Sequence, residues 1–177
     1  MHYPTNINLL LDAMRKVIFL NHKLSKICNI KGWRKANFNY NKMRRLYRKC
    51  QKKNRSKKKQ DDSRIKAFKT YIEVAEFFLE RAQRTVKEVA SRDEEFSHET
   101  SRIEQFIGDA YQQIDEIERR IIRGESIPHH EKIFSIFERH TEMICKGKAG
   151  VPFELGLQVC VMEDQHGYLR FPRFNYF

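Results

Sequence analysis

Lysine and arginine are concentrated in the first third of the chain. Residues 1–60 contain 18 Lys and Arg and a single acid, Asp12, which is a local charge of +17. The remaining residues, 61–177, contain 17 Lys and Arg against 22 Asp and Glu, a local charge of −5, and the whole chain carries +12. A block of cations with so few acids is typical of a surface that binds a polyanion, most often nucleic acid.

The predicted phosphate contacts fall between residues 31 and 59. Each Lys or Arg that neutralises a phosphate releases a counterion, which gives affinity without reading the base sequence. Aromatic side chains in the same segment could stack on bases, but their helical spacing favours core positions for Trp33, Phe38, Tyr40 and Tyr47. The candidate DNA-binding residues are Arg34, Lys35, Lys42, Arg44, Arg45, Arg48, Lys49, Lys52, Lys53, Arg55, Lys57, Lys58 and Lys59.

Two other groups of residues could do chemistry, and both are weak candidates. His129, His130, His140 and Cys145 are zinc-type ligands, but the two adjacent histidines would point to opposite faces of a strand. Glu163, Asp164 and His166 fall in a predicted hairpin turn, where water would prevent the pKa shifts that acid–base catalysis uses. We therefore expect no metal ligand and no catalytic residue in this chain. No glycine-rich phosphate loop and no nucleophile motif is present.

Apolar residues at spacings of three and four predict helices over roughly the first 123 residues. The first helix follows Thr5, a plausible N-cap, and has Ile7, Leu10, Leu11, Met14, Val17, Ile18, Leu24 and Ile27 on one stripe. Gly32 separates it from a second helix with Trp33, Ala36, Tyr40, Met43, Tyr47 and Cys50 on one stripe. The lysine-rich run after Lys52 has no apolar residue, so we expect it to fray or form a loop.

A long apolar seam follows the basic block. It runs through Ile65, Phe68, Ile72, Ala75, Leu79, Ala82, Val86 and Val89 and resumes with Phe96, Ile103, Ile107, Ala110, Ile114, Ile117 and Ile121. Asp93 and Thr100 fall on the same seam and weaken it. We favour a break near Ser91–Glu94, with the pattern of a capping box, which would give two antiparallel helices. One continuous helix is the alternative.

The pattern changes after Gly124 and Pro128. The segment 132–137 is short, apolar and strand-like, and a loop is predicted at Gly147 and Gly150–Pro152. The pattern predicts a strand over 155–162, a turn over 163–167 and a returning strand over 168–171. The predicted organisation is a basic helical region at 1–60, an amphipathic helical hairpin at 61–125 and a small β region at 126–177. The fold class is therefore mainly α, a bundle of long antiparallel helices followed by a small β-hairpin sheet.

Composition narrows the class of protein. Seven Gly and four Pro are too few for a turn-rich β-sandwich, and 13 Phe and seven Tyr argue against disorder. No apolar run approaches the roughly 20 residues of a membrane span. With no signal-peptide pattern and four scattered cysteines, we expect reduced thiols and a cytoplasmic protein with no membrane partner.

Three segments carry a resemblance to a known family. They are His2–Leu10 (HYPTNINLL), Gly32–Arg34 (GWR) and the long segment Ile127–Gly156, which contains the string KGKAGVPFELG. Together they resemble bacterial insertion-sequence transposases of the DDE type, in the ISNCY-like group, over nearly the whole chain up to about Leu169. The family usually has Asp where this chain has Asn6, and the tail from Phe171 to Phe177 no longer resembles it.

The resemblance implies a truncated, internal piece of a transposase. Such enzymes build an RNase H-like core around three carboxylates that hold two metal ions, normally Mg²⁺. In the family these carboxylates lie upstream of the HYPT segment and downstream of the KGK segment, so none is carried over to this chain and no cofactor is expected in it. The residues up to about 125 would be a helical insertion, and 132–171 part of the core sheet.

Three functions follow as expectations. The first is a transposase-derived protein that is inactive alone and at most binds DNA. The second is a standalone basic helical protein that binds nucleic acid. The third is an assembly protein that self-associates through the Ile65–Ile121 helices in a coiled coil, and the exposed β-hairpin is a further possible surface for self-association.

Overall fold

A computed structural model describes residues 5–54, 62–91, 94–145, 153–157, 162–163 and 169–170. The chain divides into two compact units, Met1–Ile136 and Phe137–Phe177. The first unit is helical and the second contains short strands, so the protein is mainly α with a small antiparallel β part. Within the described residues, no helix has both the length and the apolar character needed to cross a bilayer.

Four α-helices make up most of the first unit: α1 Asn6–Ile27, α2 Ala36–Asn54, α3 Asp62–Ala90 and α4 Ser97–Ile117. Each is antiparallel to the next. The end of α2 meets the start of α3 where Cys50 Sγ donates to the Ala67 carbonyl at 3.5 Å. The start of α1 meets the end of α4 where Asn6 Nδ2 donates to Glu116 Oε2 at 3.0 Å. The helix pairs α1·α2, α2·α3, α3·α4 and α1·α4 pack together, and α2 and α4 do not contact each other.

The predicted apolar stripes form the core of this bundle. The first predicted stripe is buried except for Ile27, which is 58% exposed at the last turn of α1. Thr5 is the N-cap residue, as predicted, although its carbonyl rather than its side chain accepts the first N–H bonds of α1, from Asn8 and Leu9. Most of the long seam is buried within the chain: Phe68, Ile72, Ala75, Leu79, Ala82, Val86, Val89, Ile103, Ile107, Ala110, Ile114 and Ile117.

Because most of the seam is buried, it is not exposed for the predicted coiled-coil assembly. The seam residues pack against one another and against α1 and α2 in the same chain, so a partner helix could reach them only if the bundle opened. The hairpin predicted over 155–171 was the other expected surface for self-association, and beyond residue 157 its side chains lie outside the described residues.

The helical hairpin is confirmed, because α3 ends at Ala90 and α4 starts at Ser97, with a 3₁₀ turn at Glu94–Phe96 between them. The capping box was wrong. Ser91 belongs to the end of α3, where its backbone N–H bonds to the Lys87 carbonyl and its hydroxyl donates to the Glu88 carbonyl at 2.9 Å. The N-cap position of α4 is Phe96. Asp93 lies outside the described residues.

The predicted strand at 132–137 does not form. Instead a 3₁₀ turn at His129–Glu131 leads into irregular backbone, and the next strand begins at Glu142. Two interactions tie this segment to the end of α4: Gln112 Nε2 donates to the Glu131 carbonyl at 3.0 Å, and Arg119 pairs with the Glu131 carboxylate at 2.6 Å. Ile136 is buried in the helical core, so its apolar character serves packing against helices rather than pairing in a sheet.

The second unit contains two short antiparallel pairs. Strand β1 (Glu142–Cys145) pairs with β2 (Phe153–Gly156), and β3 (Met162–Glu163) pairs with β4 (Leu169–Arg170). The β3–β4 pair confirms the hairpin expected at this position. A single strand over 155–162 is not seen, because β2 ends at Gly156 and pairs with β1, which the pattern did not predict. The predicted loop at 147–152 lies outside the described residues.

Candidate nucleic-acid interface

Helix α2 is held in the bundle along one narrow side. Ala36, Met43 and Cys50 recur every seven residues and are buried against α1 and α3. Tyr47 lies on the same side, where its hydroxyl donates to Asn8 Oδ1 and accepts a bond from Gln51 Nε2 at 2.5 Å. Because so little of α2 faces the core, most of its circumference remains in contact with solvent.

The chain enters α2 through a firmly packed turn. Trp33 is fully buried, and its indole N–H donates to Thr85 Oγ1 of α3 at 2.9 Å. The Arg81 guanidinium lies 5.0 Å from the centre of the Trp33 ring and donates to the Gly32 carbonyl. Gly32 has φ +118°, and a Cβ placed there would meet Arg81 Nη2 at 2.5 Å, so this position requires glycine. The turn therefore sets the position of the first predicted DNA contacts, Arg34 and Lys35.

Most of the predicted DNA contacts lie on the solvent-facing side of α2 and its preceding turn. Lys53 is half-buried, and its ammonium donates to Ser63 Oγ at 2.6 Å. Arg55, Lys57, Lys58 and Lys59 lie outside the described residues. The exposed predicted residues are Arg34, Lys35, Lys42, Arg44, Arg45, Arg48, Lys49 and Lys52.

No carboxylate of α2 neutralises these cations, since its 19 residues contain seven Lys and Arg and no Asp or Glu. Within the part of the chain that the structure describes, no intramolecular hydrogen bond or ion pair holds the eight exposed side chains. The opposite corner of the bundle has the reverse character: α4 contains five acids and one arginine. The bundle thus separates a basic helix from an acidic one.

A basic depression of about 820 Å³ continues this surface at the turn between α1 and α2. Its cations are Lys26 at the end of α1 and Lys31 and Arg34 in the turn, and no acid lines it. Asn29 in this turn adopts a left-handed conformation, with φ 52°, which lets the backbone reverse direction here. Lys26 lies outside the predicted segment 31–59, and Lys31 lies within it but was not among the candidate residues. Both belong to the acid-poor region 1–60, which is the sequence signal that could have identified them.

Three of the four aromatic residues predicted to occupy core positions are buried or half-buried, and Phe38 is not. Trp33 is buried, and Tyr40 and Tyr47 are half-buried against α1. Phe38 is 64% exposed. It lies one turn from Lys42 and two turns from Arg45 on the outer face of α2, so it is the aromatic side chain that a bound base could reach.

Two buried titratable groups of the bundle, Cys50 and Tyr71, serve packing. Burial raises the pKa of the Cys50 thiol to about 12, and burial with nearby Cys50 and Tyr47 raises the pKa of the Tyr71 hydroxyl well above its usual range. Both groups therefore remain protonated at neutral pH and serve packing: the Tyr71 hydroxyl donates to the Ile7 carbonyl at 3.2 Å.

The four candidate zinc ligands are all exposed. His129 and His130 are exposed on the 3₁₀ turn, and the His129 ring packs on Phe134 with ring centroids 5.2 Å apart. His140 and Cys145 are exposed in the second unit, Cys145 at the end of β1. Among the residues with described positions, no group of three or more His, Cys, Asp or Glu is placed to hold a metal ion.

Of the three candidate residues in the predicted hairpin turn, one lies within the described part of the chain. Glu163 lies in β3. Asp164 and His166 lie outside the described residues.

Comparison with known proteins adds no assignment, because the chain matches no protein-family model, no curated protein and no solved structure.

Proposed function

We propose that this protein binds DNA through the exposed face of α2 and the basic depression before it. The observation that carries the proposal is the set of eight exposed cations on α2 and its preceding turn, with no acid in that helix and no intramolecular partner among the described residues. Cations in a folded protein are usually interspersed with acids, which lowers their mutual repulsion. A set of exposed cations with no acids among them favours a polyanionic partner.

The dimensions of α2 suit contact with a phosphate backbone. Its 19 residues span about 28 Å, and duplex DNA carries one charge per roughly 1.7 Å of its axis. Several side chains can therefore meet phosphates at once. Arginine and lysine on an exposed helix give backbone contacts that position the protein without specifying sequence. The proposed binding is accordingly non-specific and strongly dependent on salt.

We further propose a transposase-derived origin, which rests on the HYPT and KGK strings and agrees with DNA as the polyanion. On this proposal the β region is a part of an RNase H-like core, and the chain has no catalytic activity of its own. The DNA flanking the open reading frame tests the origin, because it should encode the missing carboxylates. A nicking assay on supercoiled plasmid with Mg²⁺ or Mn²⁺ tests the inactivity. Cleavage that disappears when an acid of this chain is substituted would contradict it.

Binding itself is tested by fluorescence anisotropy with a labelled duplex over a series of salt concentrations. Each phosphate contact contributes about 0.9 to the negative slope of log K against log salt. The double variant Arg45→Gln/Lys49→Gln removes two exposed cations from the centre of α2. We expect its slope to be about 1.8 smaller than that of the wild type, and its affinity about thirtyfold lower at 0.15 M salt.

The matched control is Lys69→Gln/Lys87→Gln, which removes the same charge from exposed positions on α3. If binding depended only on net charge, both double variants would lose the same affinity and the same slope. Equal losses would contradict the assignment to α2. A wild-type protein that shows no salt-dependent binding to either duplex or single-stranded DNA would contradict the proposed function.

A further inference from the structure

The end of the bundle where α1 and α3 begin contains two adjoining cavities. One, of about 130 Å³, is lined by Thr5, Asn6, Ile7, Asn54, Arg64, Phe68, Ile117, Arg120 and Ile121. The other, of about 510 Å³, is lined by Arg64, Ile65, Arg120, Ile121, Ile122, Arg123 and Gly124. They share Arg64, Arg120 and Ile121, so they form one groove, which we call the arginine groove. Among the described residues, its lining contains three arginines and no Asp or Glu.

Arg64 is held in place within this groove. Its Nη2 donates to the Asn54 side-chain oxygen at 2.9 Å, and its guanidinium carbon lies 5.8 Å from the centre of the Phe68 ring. A guanidinium that is already ordered loses less side-chain entropy when it binds a ligand. Arg64 thus supplies a fixed cation at the junction of the two cavities.

A π-helical turn at Glu118–Ile122 brings further arginines to the groove. The backbone N–H of Arg123 bonds to the Glu118 carbonyl, five residues back, at 3.0 Å. Such turns are rare and are frequently found at functional sites. Here Arg120 and Arg123, three residues apart, line the same cavity, and Gly124 ends the turn with φ 72°.

Three carboxylates near this end pair with a different arginine, Arg119, and one of them, Glu125, also lies 3.8 Å from Arg123 Nη1 of the groove. Arg119 pairs with Asp115 at 3.4 Å, Glu125 at 3.0 Å and Glu131 at 2.6 Å. The hydrogen bonds that Arg119 donates to the Glu131 and Glu125 carboxylates raise the pKa of Arg119 above its usual value, and Arg119 lowers the pKa of Glu131. Arg120 is exposed, and its side chain has no bonding partner within the described residues.

We propose that the arginine groove is a binding site for a phosphate group. Arginine forks bind phosphate oxygens through paired, charge-assisted hydrogen bonds, and three arginines line this groove, of which Arg120 has no partner within the described residues. The larger cavity falls within the 300–1,000 Å³ typical of small-molecule sites, so it can hold a phosphate together with an attached sugar or base. The phosphate comes either from a free anion or nucleotide, or from the end of a nucleic-acid strand. The site does not depend on DNA binding by α2.

The experiment is isothermal titration calorimetry with inorganic phosphate at constant ionic strength on the full chain. The test variant is Arg120→Gln, which is exposed and should leave the fold intact, as circular dichroism will check. The control is Arg102→Gln, an exposed arginine at the other end of α4. We expect saturable binding to the wild type and to the control, and at least about tenfold weaker binding to Arg120→Gln. Absence of saturable binding, or equal weakening in both variants, overturns the proposal.

A second arm identifies the source of the phosphate. Oligonucleotides with a 5′-phosphate and a 5′-hydroxyl are compared by anisotropy for the wild type and Arg120→Gln. If the wild type binds the 5′-phosphorylated oligonucleotide more tightly and Arg120→Gln does not, the site binds a nucleic-acid terminus. If phosphate binds in calorimetry but the two oligonucleotides bind the wild type equally, the site binds a free phosphate or nucleotide. The α2 variant Arg45→Gln/Lys49→Gln should retain phosphate binding, so failure of the α2 interface and failure of this site are distinguishable.

Discussion

Glu116 gives the protein a predictable dependence of stability on pH. It lies near the end of α4, is only 2% exposed, and its Oε2 accepts the hydrogen bond from Asn6 at the start of α1. Burial disfavours the ionised form and raises its pKa from 4.5 to about 6, although Gln112 and Lys132 partly oppose that effect. The perturbation that tests this is Glu116→Gln, which keeps the shape and an acceptor oxygen but removes the charge.

The size and sign of the effect follow from the two pKa values. A folded pKa about 1.5 above the unfolded value corresponds to about 2 kcal/mol of difference between the protonation states. Below about pH 4.5 both folded and unfolded chains carry a protonated Glu116, and its contribution to stability is fully present. As the pH rises from 4.5 through 6, the folded state must ionise a buried carboxyl, and that contribution is lost.

We therefore expect Glu116→Gln to have nearly the wild-type free energy of unfolding at pH 4.5. At pH 7 it should be more stable than the wild type by about 1–2 kcal/mol, because the glutamine carries no charge to bury. Urea denaturation followed by circular dichroism between pH 4.5 and 8 measures the difference. The control is Glu104→Gln, an exposed acid of the same helix, whose effect should not vary in this way.

Two results would refute the reasoning. The first is a difference between Glu116→Gln and the wild type that is the same at every pH, which would mean that Glu116 titrates alike in the folded and unfolded chains. The second is a wild type more stable than the variant at pH 7, which would mean that the buried carboxylate is stabilised by its surroundings.

Three further predictions concern the turn before α2 and its outer face. Thr85→Val should lower the free energy of unfolding by about 1–3 kcal/mol, because it leaves the buried indole N–H of Trp33 without an acceptor, and urea denaturation followed by the fluorescence of this single tryptophan measures it. Gly32→Ala should lower the free energy of unfolding by about 1–3 kcal/mol, because alanine is strained at the positive φ of this position. A thermal midpoint equal to that of the wild type would contradict this. Phe38→Ala should weaken single-stranded DNA binding by about 1–3 kcal/mol through lost base stacking, whereas Phe77→Ala, which removes a 54% exposed phenylalanine from α3, should leave it unchanged in the same anisotropy assay.

Much of the helical unit could be predicted from local patterns. A helix repeats every 3.6 residues, so apolar residues at spacings of three and four indicate which side of each helix is buried without knowledge of its partners. That is why the stripe from Ile7 to Leu24 and the seam from Phe68 to Ile117 were found correctly. The β region was harder, because a four-residue strand such as β1 carries too short a pattern, and an apolar segment such as 132–137 suits either a strand or packing against helices.

The sequence by itself determined that the cations are concentrated in one block and that the helix within it has a narrow apolar side. Both are local properties, one of composition and one of periodicity. Only the tertiary structure decided that α2 and the acidic α4 occupy opposite corners, because that depends on how four helices pack. Only the tertiary structure brought Arg64 and Arg120 into one groove, since 56 positions separate them and no periodic pattern reaches that far.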